Sequence, residues 1–352
     1  MKILFRMLMF FCVLGLWAPG AFAGDAPMPV YVSISPQAFF VEQIGGDRVS
    51  VDVLIPPGKS PAVYSPTPAQ MSGLAKAKVF FRIGVPFENA LMPKIKTAAP
   101  NTLVVDTRQG VRLRTMTGHH HHEGEEEHHD MEEHEDEGEE HHHDADEHHH
   151  DADEHHHDAD EHHHDADEHH HDADEHDGDH HGESLDDHAR GKDPHIWLDP
   201  NLVKIQAKTI CHALIDLDPQ GKAFYKKNLA GFLDGLDSLD REIAEALKPV
   251  KGSTVFVFHP AYGYLCDAYG LKQLAVELEG KTPKGRELAQ FIAKAKKDNV
   301  RVIFVQPQFD KNAAEKIAQS INGAVLSLNP LARDYFTNMK SMATAISQAL
   351  SQ

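Results

Sequence analysis

Histidine is concentrated in one stretch of this chain. Of the 29 histidines, 26 lie within residues 119–188, together with 32 of the 55 acidic residues and no Lys or Arg. Neutral imidazole is a ligand that suits zinc, copper and nickel, and neighbouring carboxylates add oxygen ligands. The stretch therefore predicts metal binding, although its composition does not select one metal.

The His-rich stretch contains a tandem repeat, HHHDADE, which occurs five times between His141 and Glu175. Its only apolar residue is Ala, so the seven-residue period provides no hydrophobic seam for a coiled coil. Such a composition cannot offset the entropy lost on ordering, and we expect a disordered insert with weak, auxiliary metal sites. The candidate ligands in the repeats are His141, His142, His143, His148, His149, His150, His155, His156, His157, His162, His163 and His164.

Only His195, His212 and His259 lie outside the insert. His195 precedes a predicted long helix, and His259 directly follows a predicted strand at 254–258. Open α/β sheets bind ligands at the carboxyl ends of their strands, so we expect His195 and His259 to meet as metal ligands in a cleft. His212 falls inside a predicted helix, where a packing or surface role is expected.

Strand-like and helix-like segments alternate on both sides of the insert. This alternation predicts an α/β fold with two similar lobes, each a four-stranded, mainly parallel sheet flanked by helices. The predicted strands are 30–34, 49–55, 79–83 and 103–105 in the first lobe and 254–258, 271–276, 300–305 and 324–328 in the second. The predicted helices are 37–44, 68–77, 87–98, 261–269, 284–298, 311–321 and 331–350.

Two long helices are predicted between the lobes, at 200–217 and 219–248. The second has an apolar stripe at roughly helical period and is long enough to act as a rigid connection between lobes. The predicted organisation is a first lobe at 24–218, containing the insert, a linking helix at 219–249 and a second lobe at 250–352.

The first 23 residues have the pattern of a secretory signal peptide. Lys2 and Arg6 precede an apolar run, and Ala21-Phe22-Ala23 fits a cleavage site. We expect export to the periplasm with cleavage near Ala23 and no membrane anchor. The two remaining cysteines, Cys211 and Cys266, could form a disulfide or stay free, and their spacing does not decide.

The net charge of −21 comes from the insert, because outside residues 119–188 the 34 basic residues exceed the remaining acids. An acidic insert would repel phosphate, so no nucleic-acid partner is expected. The sequence contains no HExxH or GxSxG, which argues against a metallo-hydrolase or serine hydrolase. A monomeric binding protein is expected rather than an enzyme.

Several segments resemble the metal-binding solute proteins of ABC transporters, the cluster that imports zinc and manganese. The clearest are DPHIWLDP and FHPAYGYLCDAYGL, supported by VEQIGGDRVSVDVLIPPG, VIFVQPQFD and NPLARDYFTNM. The acidic His-rich loop is similar to that of the zinc importers, the ZnuA type. The resemblance implies two α/β lobes joined by a rigid helix, zinc as cargo in the cleft, and a cognate permease and ATPase.

In that family, His195 and His259 match two of the metal ligands. The sequence departs from the family at two others, where Ala62 and Asn329 stand in place of the usual His and Asp. The missing ligands could be water with Glu277 or Glu279, a weak oxygen from Gln308, or a histidine from the insert, which is tethered close to His195.

The sequence therefore predicts a periplasmic zinc-binding protein that delivers its metal to an ABC-type importer. A periplasmic buffer or chaperone for zinc, nickel or copper, without a dedicated transporter, is the alternative. Manganese is the less expected cargo because it prefers more oxygen ligands.

Overall fold

The computed structural model describes residues 26–116, 191–277, 285–309 and 311–351. The predicted signal peptide, the His-rich insert with its candidate ligands, and Glu279 lie outside the described residues.

The first lobe contains a four-stranded sheet in which every neighbouring pair of strands is parallel. The strand order is β2-β1-β3-β4. The strands are β1 (Met28–Val32), β2 (Val49–Val53), β3 (Val79–Arg82) and β4 (Leu103–Asp106), and the helices are α1 (Ser35–Gly45), α2 (Pro68–Leu74) and α3 (Phe87–Ala98). The two central strands, β1 and β3, are almost wholly apolar and buried, as expected for a sheet covered on both faces.

The second lobe repeats this arrangement, with parallel strands in the order β6-β5-β7-β8. Its strands are β5 (Thr254–Val257), β6 (Lys272–Ala275), β7 (Val302–Val305) and β8 (Ala324–Ser327). Its helices are α6 (Gly263–Tyr269), α7 (Arg286–Lys297), α8 (Lys311–Ser320) and α9 (Tyr335–Leu350). The predicted fold class, two similar parallel α/β lobes, is confirmed.

Two helices lie between the lobes in sequence, α4 (Pro200–Leu217) and α5 (Lys222–Leu247). Asp199 begins α4 by accepting a hydrogen bond from the backbone N–H of Asn201, and Pro200 occupies the first helical position. The 26-residue helix α5 packs against α4, α1 and α9 with its apolar face. The predicted long connection between lobes is therefore present, flanked by a short 3-10 turn at each end.

The C-terminal helix α9 follows the last strand of the second lobe but packs back on the first. Phe39 and Phe40 of α1 contact Tyr335 of α9 with ring centroids 6.5 and 5.0 Å apart. Phe232 of α5 joins the same cluster, at 5.8 Å from Phe40. These aromatic contacts join α1, α5 and α9 in one apolar cluster.

Both cysteines outside the signal segment, Cys211 and Cys266, are buried and free. Since no disulfide joins them, the core is held by packing. None of the helices in the described part of the chain combines the length and apolar character needed to cross a membrane.

Candidate metal site

The carboxyl edges of both sheets meet at one cavity of about 60 Å³. Almost every residue that lines it follows a strand end: Ser60, Pro61 and Ala62 after β2, Val85 and Pro86 after β3, Met116 after β4, His259 and Ala261 after β5, Gln306, Gln308 and Phe309 after β7, and Pro330 and Leu331 after β8. Pro194, His195 and Trp197, from the segment before α4, complete the lining. The predicted cleft at the strand ends is thus a physical cavity, as parallel sheets favour.

His195 is held in this cavity by the aspartate two residues before it. One carboxylate oxygen of Asp193 accepts from the His195 backbone N–H at 3.0 Å and lies 2.7 Å from the ring Nδ1. Burial lowers the pKa of His195 below its usual value, so the ring is neutral near pH 7. With Nδ1 bound to the carboxylate, Nε2 is the nitrogen left free to bind a metal.

His259 is held in the same way by a carboxylate from the neighbouring strand. Glu277 Oε2 lies 2.6 Å from His259 Nδ1. The parallel register pairs Val257 with Ala275, and two residues further along each chain His259 and Glu277 come side by side. Glu277 therefore fixes the orientation of the ring, and Phe309 stacks on it with a centroid separation of 5.1 Å.

The two histidine rings, which both line the cavity, lie close together in an edge-to-face arrangement. Their centroids are 5.3 Å apart and their planes are inclined by 72°. Two imidazoles bound through Nε2 to one tetrahedral zinc ion have centroids about 5 Å apart, since each zinc–nitrogen bond is about 2 Å long. The separation in this protein fits one shared zinc ion.

The positions where the sequence departs from the family supply no ionisable ligand. Ala62 lines the cavity. The Asn329 amide oxygen accepts from Gln308 Nε2 and from the Leu331 backbone N–H, both at 3.1 Å. In the described part of the chain, no three His, Cys, Asp or Glu side chains are grouped so that they could hold a metal ion. The histidine pair thus needs ligands of another kind or from elsewhere.

The described residues that flank the His-rich insert pair with each other, and one of them lines this cavity. The backbone N–H of Met116 donates to the Gly191 carbonyl at 3.0 Å, and Thr115 pairs with Lys192 in an antiparallel bridge. Met116 itself lines the cavity. The described residues on both sides of the insert are therefore held to the segment that carries His195, since the Asp193 backbone N–H also donates to the Arg114 carbonyl at 2.9 Å.

Arg114, in the described segment before the insert, connects that segment to the second lobe. Its Nη1 lies 3.3 Å from Asp193, the partner of His195, and its Nε lies 3.1 Å from Asp267 of α6. The Tyr264 hydroxyl accepts from the Arg114 backbone N–H at 3.0 Å and donates to the Asp193 carbonyl at 2.9 Å. Both lobes therefore contribute to the positioning of His195.

The structure brings the predicted pair His195 and His259 together, and His212 lies exposed on α4, as expected of a surface residue. Asp193 and Gln306 were not predicted from the sequence as part of the site. Both stand in segments that resemble the family, and the position of Gln306 directly after β7 is a signal that the strand-end rule could have used.

The donor set suits zinc in part. Two imidazoles, each oriented by a carboxylate, are typical of zinc sites. A cavity of about 60 Å³ leaves space beside an ion for water. Two nitrogen ligands alone would leave a tetrahedral ion short of donors.

Two parallel α/β lobes joined by a long helix, with one ligand cavity at their strand ends, define a two-lobed solute-binding protein. The family model for ZnuA, the periplasmic component A of the zinc-uptake complex, matches residues 30–349. The chain belongs to this family.

Among curated relatives, a high-affinity zinc uptake system protein ZnuA from Brucella suis is 32% identical over 168 residues, which cover 45% of this chain and 50% of the relative. The match thus spans about half the length of that protein. A crystal structure of ZnuA aligns over 92% of this chain and 99% of its own, with a TM-score of 0.70 and 31% identity. A crystal structure of a ZnuA deletion mutant with zinc bound aligns over 93% of this chain and 99% of its own, with a TM-score of 0.69 and 32% identity.

Proposed function

We propose that this protein binds one zinc ion between His195 and His259 and delivers it to an ABC-type importer. The observation that carries the proposal is the pair of histidine rings, whose centroids are 5.3 Å apart and whose Nδ1 atoms are each held by a carboxylate. Membership of the zinc-uptake family supports zinc as the cargo, and a zinc-bound relative of the same fold supports the same metal.

The partners in this proposal are a cognate permease and ATPase, and the protein acts as a monomer in the periplasm after cleavage near Ala23. The division into a first lobe at 24–218, a linking helix at 219–249 and a second lobe at 250–352 belongs to the proposal. Binding rather than catalysis is favoured because Asp193 and Glu277, the carboxylates beside the histidines, are both bonded to imidazole. Neither is free to act as a general base.

The insert at 119–188 is proposed to be an auxiliary segment with several weaker zinc sites. The described residues that flank it, Met116 and Gly191, are paired, and Met116 lines the cavity. Metal gathered by its histidines would be held at high local concentration near His195.

The site assignment is tested by zinc titration of His195→Ala and His259→Ala in protein lacking residues 119–188. Loss of either imidazole should weaken tight binding by roughly 100-fold or more, beyond the 10–100-fold that loss of an orienting partner costs. His212→Ala is the matched control, because His212 is an exposed helix residue. Equal zinc affinity in all three variants would refute the site.

Delivery is tested by growth on low zinc. The gene is expressed with its own permease and ATPase in a bacterium that lacks a zinc importer. Growth that requires both His195 and the permease supports transport. Growth without the permease would instead favour the alternative of a periplasmic buffer.

A further inference from the structure

Gln306 occupies a position in the cavity that neither the family pattern nor the histidine pair explains. It is the first residue after β7, at the carboxyl edge of the second sheet, and it is only 1% exposed. It lines the same cavity as His195 and His259. A buried polar side chain in this place needs partners for its amide.

One half of the Gln306 amide has a partner and the other has none. Nε2 donates to the backbone carbonyl of His259 at 3.4 Å. A carbonyl only accepts hydrogen bonds, so the NH₂ group must be the end that faces it. Oε1 is then on the opposite side, buried and without a hydrogen-bond partner among the described residues. An orphaned buried acceptor points to a ligand that supplies a donor or a positive charge.

From this geometry, and resting on the proposed zinc site, we propose that Gln306 is a zinc ligand through its amide oxygen. Two imidazoles leave two positions of a tetrahedral ion to be filled. Gln306 Oε1 fills one of them, in place of the ligand that Ala62 cannot supply. Its bond to the His259 carbonyl anchors it to the backbone of a residue that also binds the ion.

This assignment makes the inner ligand set neutral. Imidazole and amide groups carry no charge, while the carboxylates of Asp193 and Glu277 stand behind the two rings. Of the other amides near the cavity, Asn329 already has two hydrogen-bond donors on its oxygen. Gln308, which donates to Asn329, is only partly buried. Among the described residues that line the cavity, Gln306 therefore supplies the buried amide oxygen that is left for a cation.

The test compares Gln306→Leu and Gln306→Glu in the full exported chain, with zinc affinity measured by chelator competition and read from Trp197 fluorescence. Trp197 is the only Trp after the signal segment, and its ring is 5.1 Å from that of His195. Gln206→Leu is the matched control. Gln206 is also a fully buried glutamine whose amide has no partner within the described residues, but it lies on α4 and does not line the cavity.

We expect Gln306→Leu to bind zinc at least tenfold more weakly, Gln306→Glu to bind at least as tightly as the parent, and Gln206→Leu to match the parent. A carboxylate keeps the oxygen ligand but cannot donate to the His259 carbonyl. If Gln306 only braces His259, both of its variants weaken binding alike, and the assignment is wrong.

Unchanged affinity in Gln306→Leu would also overturn the assignment. Melting of each metal-free variant shows whether it folds. If Gln306→Leu does not fold, the affinity of Gln306→Glu decides alone: binding at least as tight as that of the parent supports the ligand, and weaker binding refutes it. Failure of the proposed zinc site itself would give a different result: the His195→Ala variant would bind zinc as tightly as the parent.

Discussion

At the scale of single residues, the proposed site includes two carboxylates that hold the histidine rings and do not themselves bind the metal. Asp193 and Glu277 each bind the Nδ1 of a histidine, which fixes the ring and leaves Nε2 as the nitrogen available to a metal. Such partners also raise the basicity of the ligand nitrogen. A carboxylate oxygen 2.6–2.7 Å from the Nδ1 of each ring is therefore part of the proposed metal site.

This arrangement predicts the effect of Asp193→Asn. An amide in place of the carboxylate keeps the size of the side chain but removes the charge behind the His195 ring. We expect zinc affinity to fall by about 10–100-fold, the range typical of such partners. Competition with a zinc chelator measures the change.

Asp267→Asn is the control, because Asp267 shares Arg114 with Asp193 but is bonded to no histidine in the described part of the chain. A loss in Asp267→Asn as large as that in Asp193→Asn would mean that Arg114, and not the His195 contact, accounts for the effect.

The sequence predicts the two histidines but not their partners, and the reason is physical. Residue type and a strand-end position are local features, so His195 and His259 can be recognised directly. The contact between His259 and Glu277 depends on the register between β5 and β6, which the sequence does not reveal. Gln306 is missed for a similar reason, since an amide signals a site only once its burial is known.

At the scale of elements, helix α4 was predicted at its observed bounds because its start has strong local signals. Asp199 and Pro200 provide a cap and a first helical residue, as Thr67 and Pro68 do for α2. The return of α9 to the first lobe was not predicted. It depends on aromatic contacts between residues almost 300 positions apart, which no local pattern encodes.

The turn between α4 and α5 contains a partly exposed ion pair, Arg48–Asp218, that anchors the linking helix to the first lobe. Asp218 accepts from Arg48, with Nη2 at 2.6 Å, and from the Tyr225 hydroxyl at 2.6 Å. Burial acts to raise the pKa of Asp218, but the hydrogen bonds from Tyr225 and Arg48 outweigh it and hold that pKa below its usual value.

This pKa shift predicts a pH-dependent contribution to stability. A depressed carboxyl pKa stabilises the fold above the unfolded value of about 3.9, and the contribution is lost as the pH falls through the lower folded value. Asp218→Asn should therefore lower Tm by roughly 2–4 °C at pH 7, and the difference from the parent should shrink below about pH 4. Thermal melts across this range measure it.

The exposed pair Glu245–Lys248, 3.5 Å apart, provides the control for this experiment. Surface pairs contribute little, so Glu245→Gln should leave Tm nearly unchanged. A difference between Asp218→Asn and the parent that persists undiminished at pH 3 would contradict the role given to the Asp218 charge.

At the scale of the whole molecule, residues of both lobes and the described residue before the insert, Met116, line one cavity. The two sheets line the cavity with their carboxyl edges, and Arg114 links the segment before the insert to Asp193 and to α6. Removal of residues 119–188 would leave only Thr117, Gly118, Ala189 and Arg190 to join the paired Met116 and Gly191. Four residues are enough to close an antiparallel pair.

We therefore expect the deletion protein to keep its fold and to lose most of its bound zinc. The insert has no apolar face with which to pack, so circular dichroism and Tm should stay close to the parent. The parent should show several weaker sites, roughly micromolar, because closing a flexible loop around each ion costs entropy. A deletion protein that melts or aggregates would contradict the disordered-insert hypothesis.

Mild acid should distinguish the two kinds of site. Histidines with an ordinary pKa near 6.5 are mostly protonated at about pH 5, and protonated imidazole cannot bind zinc. The parent should release the zinc of the insert at this pH and retain that of the cavity longer, because folded lobes hold His195 and His259 in place. Zinc counted after dialysis at pH 7 and pH 5 measures the difference.

The same deletion tests whether a histidine of the insert completes the cavity site. Ala62 and Asn329 leave the proposed site short of ligands, and Met116, the last described residue before the insert, lines the cavity. An imidazole of the insert, tethered in this way, would reach the ion at high local concentration. If it does, the deletion should weaken the tightest zinc site as well as reduce the number of sites. We expect Trp197 fluorescence at low zinc to report on the cavity, because the Trp197 ring is 5.1 Å from that of His195. Unchanged cavity affinity in the deletion protein would mean that water or a carboxylate takes the last position and that the insert serves only to collect metal.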